Sequence, residues 1–236
     1  MNKISIVLFS LIALIFTSCE KITGEGPVET VNRSVSPFAG IDLRCSASVY
    51  FTQSPDYKVE VSAQRNILDV LETYVSDNKL VVKFKNGVNV RSHEAIRVIV
   101  SAPTLRSLRV SGSGNINVTG PFNPSMLDMD ISGSGSILIS ELHTDFMDAK
   151  ISGSGNIKVV SGTATEETLK ISGSGNLDLT DVVAARIRTM TSGSGNIKVT
   201  ATENLDVTIS GSGDVFYKGS PAINLKVSGS GKVVHL

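Results

Sequence analysis

Apolar and polar residues alternate one for one through long stretches of the C-terminal half. Leu169, Ile171, Gly173, Gly175, Leu177 and Leu179 hold one parity, and Lys170, Ser172, Ser174, Asn176 and Asp178 the other. The scheme returns over Leu205–Val215 and again over Ile223–Val233. A period of two predicts strands with one buried face. Paired glycines and dense Ile, Val and Thr exclude helix. The alternation outlasts an ordinary strand of about five to six residues, so the chain must bend within it. The Gly-x-Gly is the predicted corner, because two inward positions without Cβ let the backbone turn tightly over a core.

That corner recurs. Ser-Gly-Ser-Gly starts at Ser111, Ser132, Ser152, Ser172, Ser192, Ser210 and Ser228, so the step from each to the next stays close to twenty and tightens over the last two. A fixed period near twenty marks a stacked architecture with one rung per repeat. Two arrangements compete: a parallel β-solenoid with the tetrapeptide as a corner, and an antiparallel array with it as a hairpin tip. Parity preserved across the glycines in every unit favours the solenoid. The steady tightening of the step toward the C-terminus favours it too, since it suits a coil that tapers. Polar turns such as Gly162–Thr165 and Lys218–Pro221 would complete each circuit. Stacking then ladders Ser111, Ser113, Ser132, Ser134, Ser152, Ser154, Ser172, Ser174, Ser192, Ser194, Ser210, Ser212, Ser228 and Ser230 along the outside. Functionally this is a flat hydroxyl array for a glycan, a polymer or ice. Structurally it is a small residue beside Gly, whose hydroxyl caps free backbone groups. A glycan site would be expected to add aromatic platforms, and only Phe216 and Tyr217 lie among the rungs.

Residues 36–110 are less regular but strand-like. Ala47–Thr52, Tyr57–Val61, Leu80–Lys85 and Ile96–Val100 read as strands, and Asn66–Thr73 as one short helix with Ile67, Leu68 and Leu71 on a face. No composition break separates this part from the repeats. We read residues 36–236 as one solenoid, with irregular N-terminal coils at 36–110, regular coils at 111–236 and the helix over an open end, protecting its edge.

Charge narrows the partners. Twenty-two basic residues balance 22 acidic ones, which removes the electrostatic case for nucleic acid. Trp is absent and aromatics are 5%, so no base-stacking platform is indicated. The N-terminus reads as an address. A basic start precedes an apolar run from Ile4 to Phe16, and then comes Thr17-Ser18-Cys19. The run is shorter than the roughly twenty residues a membrane span needs and suits a signal peptide, residues 1–18. Small residues leading into Cys resemble a bacterial lipobox, with Cys19 as the lipid attachment site; Phe16 stands where Leu is commoner. Residues 19–35, with Gly24, Gly26 and Pro27, read as a flexible tether. Cys45 is left without a partner and reads as a buried, inert thiol.

The lipobox-like stretch, Phe38-x-x-Ile41, Pro103-x-Leu105 and the repeated Ser-Gly-Ser-Gly-Asn-Ile together resemble the auto-transporter adhesin head GIN domain family. The hexapeptide is intact at Ser111–Ile116, Ser152–Ile157 and Ser192–Ile197. Ser136, Asp214 and Lys232 replace its Asn, and Leu177, Val215 and Val233 its Ile. The resemblance covers about residues 36–234. It implies an all-β, right-handed parallel β-helix in an envelope-attached protein, and brings no catalytic residues with it.

Enzyme chemistry needs convergent ionisable groups. His93, His143 and His235 do not recur with the repeat. Asp128, Asp130, Asp148, Asp178, Asp206 and Asp214 could stack in pairs: Asp128 and Asp148 hold equivalent rung positions, as do Asp206 and Asn224. A solvated face explains them equally well. No cofactor or metal is indicated, since the acidic residue of a Gly-rich calcium repeat appears only once, as Asp214. The expected protein is a non-enzymatic, lipid-anchored solenoid of a bacterial envelope, most simply the outer membrane, serving adhesion, ligand capture or scaffolding. A polysaccharide-acting enzyme is the alternative, and a homo-oligomer or assembly partner working through exposed coil ends is the third reading.

Overall fold

The computed structural model describes residues 20–236; Cys19 and the signal-peptide reading lie outside them. From Ser107 onward every strand pairing is parallel, and partners lie one repeat apart. The solenoid reading holds and the hairpin array does not. Each full coil carries three strand segments, as in 156–159, 162–164 and 166–171, paired in register with the next rung. Ser-Gly-Ser-Gly forms the bend between the last segment of one coil and the first of the next. The tightening of the repeat falls at the turn after Asp178, where the register slips between Asp178 and Val183 and again between Ala184 and Arg186.

Register turns the alternation into straight core columns. Ile137, Ile157, Leu177, Ile197 and Val215 stack in one; Ile131, Ile151, Ile171, Thr191 and Ile209 in another. All are buried, and each large aliphatic withdrawn from water contributes about 1.5–3 kcal/mol. Phe38, Phe51 and Phe122 fill the wider N-terminal part, with Phe51 and Phe122 edge to face at 5.6 Å.

An eighth corner precedes the seven. Gly40–Leu43 and Ser48–Gln53 pair with Ser107–Val110 and Asn115–Val118, so Arg44-Cys45-Ser46-Ala47 lies over Ser111–Gly114. Cys45 therefore occupies a Gly position of the corner. It is buried, and burial pushes its thiol pKa up to about 11.

The N-terminal end departs from expectation in two places. Glu20–Thr23 pairs parallel with Val88–Ser92, and Val28–Asn32 antiparallel with residues 60–64. The stretch read as a flexible tether is thus part of the body over Glu20–Asn32. Apolar Ile22 and Val31 pack on the core, and Asn66 Nδ2 and Gln64 Nε2 donate to the carbonyls of Thr23 (2.7 Å) and Gly26 (3.1 Å). The helix is one turn, Arg65–Leu68, not Asn66–Thr73. Leu71–Ser76 instead forms a hairpin with Lys79–Phe84, turning on Asp77 and Asn78 at φ 48° and 60°. A helix this short is marginal in water, and a full ladder of cross-strand bonds outcompetes it. Helix, hairpin and the strap formed by Glu20–Asn32 together close this end.

Candidate functional site

The corners are built from backbone. In each, the first Ser N–H donates to the residue before the corner in the preceding rung, as Ser172 does to Ile151 O at 2.8 Å. From the Ser132 corner onward the second Ser and second Gly both donate to the first Gly carbonyl of the preceding rung: Ser174 and Gly175 reach Gly153 O at 3.0 and 3.1 Å. These bonds stack the glycines directly. A Cβ on Gly173 would overlap the carbonyl oxygen of Gly153 and come within 3.0 Å of its carbonyl carbon. At this position Gly is required by close approach along the solenoid axis, rather than by crowding from the core as the inward-corner reading has it. Gly175 meets both demands, since a Cβ there would overlap Gly155 O and also lie 2.8 Å from Ile151 Cγ2.

All fourteen serines are exposed, as the parity requires. Among the described residues, none of their hydroxyls bonds to a protein group, so the capping role anticipated for them is not realised. At the ordinary rung spacing of about 4.8 Å they form two parallel hydroxyl files. Beside the files runs a polar ladder that sequence reading did not single out. Asn156 Oδ1 accepts from Asn176 N (3.2 Å) and Nδ2 (3.1 Å). Asn176 Oδ1 accepts from Asn196 N, Asn196 Oδ1 from Asp214 N, and Asp214 Oδ1 from Lys232 N, at 3.1, 2.8 and 2.8 Å. The Asn after each Ser-Gly-Ser-Gly was the visible signal. Its amide carries the hydrogen bonding of the backbone just past the corner, which also explains why Asp serves as acceptor at 214.

The acidic candidates stack along the rungs, and of them Asp206 alone borders one of the clefts described below. Asp128 and Asp148 are register partners, as are Asp206 and Asn224. Partial burial and the neighbouring Asp148 charge raise the Asp128 pKa. Asp178 moves the other way. Desolvation is the largest single influence on it, yet hydrogen bonds from Thr180 and the Lys158 charge together outweigh that and lower its pKa. Arg186 bridges Glu166 (2.7 Å) and Glu203 (3.2 Å) beside an open cleft of about 380 Å³ bordered also by Arg188, Asn204 and Asp206. A second cleft, about 550 Å³, lies at the closed end between Arg33, Asp69, Thr73 and Lys85. Neither Asp128 nor Asp148 lines these clefts. The histidines stay apart. His143 contacts Glu141 and Thr163, His93 contacts Ser46, and His235 meets Tyr217 edge to face at 4.9 Å. Among the described residues no three His, Cys, Asp or Glu side chains group to hold a metal.

One further polar residue breaks the inward alternation. Glu167 stands in the core column between Met147 and Ile187, is 2% exposed, and neither carboxyl oxygen has a partner among the described residues. Burial pushes its pKa up to about 8.

Comparison with known proteins places this architecture. The chain is similar to a putative adhesin from Bacteroides fragilis NCTC 9343 (TM-score 0.87, 27% identity, 91% of this chain and 100% of that one). It is also similar to a putative lipid binding protein from Parabacteroides distasonis ATCC 8503 (TM-score 0.78, 25% identity, 92% and 100%) and to a putative adhesin from the same organism (TM-score 0.76, 25% identity, 92% and 100%). No curated protein matches. The family described as "Putative auto-transporter adhesin, head GIN domain" matches residues 37–221, from the first core strand to the turn before the last rung, and the chain belongs to that family.

Proposed function

We propose that this protein is a non-enzymatic, lipid-anchored solenoid of the cell envelope that uses its serine corner as an adhesion or ligand-capture face. One observation carries the reading. Glycine alone meets the steric demand of the corner, and nothing in the packing calls for a hydroxyl, yet fourteen serines present unpartnered hydroxyls in two files. Such files suit a repeating polar ligand, a glycan above all, whose hydroxyls meet the ladder at more than one rung. An enzyme acting on polysaccharide would need free carboxylates converging in a groove; the stacked Asp128–Asp148 pair borders neither cleft, and at the first cleft Glu166 is held by Arg186, Asp206 lies against Arg188 and Glu167 is buried.

Exchanging Ser152, Ser154, Ser172, Ser174, Ser192 and Ser194 for Ala tests the face. Surface substitutions of this kind shift stability by less than about 1 kcal/mol, so the melting midpoint should hold while retention on immobilised polysaccharides or host-type glycans falls at least tenfold. Undiminished retention would remove the serine face from the mechanism. The anchor is tested separately. Cys19→Ser should move the protein from the membrane fraction to the soluble one, because the proposed acyl chains supply the hold on the bilayer; continued co-sedimentation with membranes would refute lipidation at Cys19.

A further inference from the structure

The two ends of the solenoid are unlike. At the N-terminal end the helix buries its Ile67 and Leu68, and the hairpin its Leu71, against the core. At the other end the core columns stop in the open. Ile223, Leu225 and Val227 continue the columns of Leu205, Val207 and Ile209, which are fully buried, yet are themselves 43, 49 and 43% exposed. Among the described residues Ala222–Val227 is paired along one edge only, with residues 204–209, and Val233–His235 along one edge only, with residues 215–217. A row of free N–H and C=O groups beside an uncovered apolar layer is a template for strand addition.

The geometry points to a second copy of this chain as the occupant, meeting the first tail to tail in a closed two-fold dimer. At the N-terminal end Val28–Asn32 and Leu71–Ser76 are also paired along one edge only among the described residues, but they cover the core there instead of extending an open apolar column, so head-to-tail stacking finds no matching layer and an isologous contact is favoured. The charges fit this pairing. Lys226 points outward from the last strand, has no carboxylate partner among the described residues, and its register neighbour is Thr208. Antiparallel pairing of two Ala222–Val227 strands about Leu225 sets Ile223 against the partner's Val227, continuing the dry column. It sets Lys226 against the partner's Asn224. Asn224 stacks on Asp206 within each chain, so each lysine lies one rung from the partner's Asp206, where it joins Arg188 (3.7 Å) as a second cation, and the two lysines do not face one another. The register opposes each lysine to a neutral Asn, whereas like charges directly opposed would destabilise it.

Sedimentation equilibrium of the full chain in mild detergent, across a hundredfold range of concentration, tests the proposal. The expected result is a reversible monomer–dimer equilibrium. Leu225→Asp buries a charge at the centre of the contact and should raise the dissociation constant at least about thirtyfold. Lys226→Glu leaves the apolar layer intact and should raise it about tenfold at low salt, with little change at high salt. If Leu225→Asp proves too unstable to measure, Lys226→Glu decides alone, since its side chain is exposed. A monomer at every concentration overturns the proposal. So does a series of species beyond the dimer, or a dimer indifferent to the substitution.

Discussion

Gly173→Val is expected to cost about 3 kcal/mol or more, lowering the melting midpoint of a chain this size by roughly 6 °C or more. The new Cβ would occupy the space of the Gly153 carbonyl oxygen, which itself accepts from Ser174 and Gly175. Backbone fixed by two hydrogen bonds cannot swing aside as a side-chain tip can, so the rungs must separate locally and the neighbouring bonds lengthen. Gly112 supplies the control. It faces the end corner at Arg44 and Cys45, where a Cβ would meet nothing nearer than 3.4 Å. Gly112→Ala should therefore change stability by less than about 1 kcal/mol, and reduced freedom of the unfolded chain favours a small gain. Thermal melts of both variants decide the matter. Equal effects at 112 and 173 would show that the columns do not set the requirement for glycine.

The same contrast explains what could be read in the chain and what could not. Parity through Leu169–Leu179 identifies both the buried face and the corner, because each rung repeats one environment and so repeats one residue pattern. The corner at Arg44–Ala47 carries no such mark. No glycine rung stacks on its far side, so Cys45 and Ala47 are tolerated there and the Ser-Gly signature lapses. Likewise Glu20–Asn32 has the Gly and Pro of a linker. Its place in the fold is set by pairing with Val88–Ser92 and residues 60–64, distant segments that local composition does not reveal. Asn66–Thr73 has a helical spacing of apolar residues that serves one helical turn and then the start of a hairpin strand.

At the corner itself, exposure of the serines follows from parity, but the absence of hydroxyl bonds does not, since Ser beside Gly is equally suited to capping. The Asn156–Asn176–Asn196–Asp214 ladder was visible only as a recurring letter. Its meaning depends on register, which brings each side-chain oxygen to the backbone N–H one coil on.

Glu167 is where local pattern and fold disagree, and the disagreement has a measurable consequence. Its carboxyl is buried beside Met147 and Ile187 without a hydrogen bond, and its pKa rises from the ordinary 4.5 to about 8. The folded protein therefore keeps a proton that the unfolded chain releases once pH exceeds 4.5. Stability from this group is greatest below that pH, and falls about tenfold in the folding equilibrium per pH unit toward 8. Above 8 both states are ionised and the loss is complete. Glu167→Met removes the titration and continues the column begun by Met147 with a side chain of similar length. At neutral pH it should stabilise the fold by about 3 kcal/mol, the free energy of holding the carboxyl neutral against its ordinary pKa. Urea midpoints of the two proteins, compared at about pH 5, 7 and 8.5, isolate the term because every other titrating group is common to both. The gap between them should widen across that range, while Glu167→Gln loses the pH dependence yet keeps an unpartnered polar group and so gains less. Parallel pH profiles for Glu167→Met and the parent would mean that the carboxyl reaches water or a partner, and that this inward position is not dry.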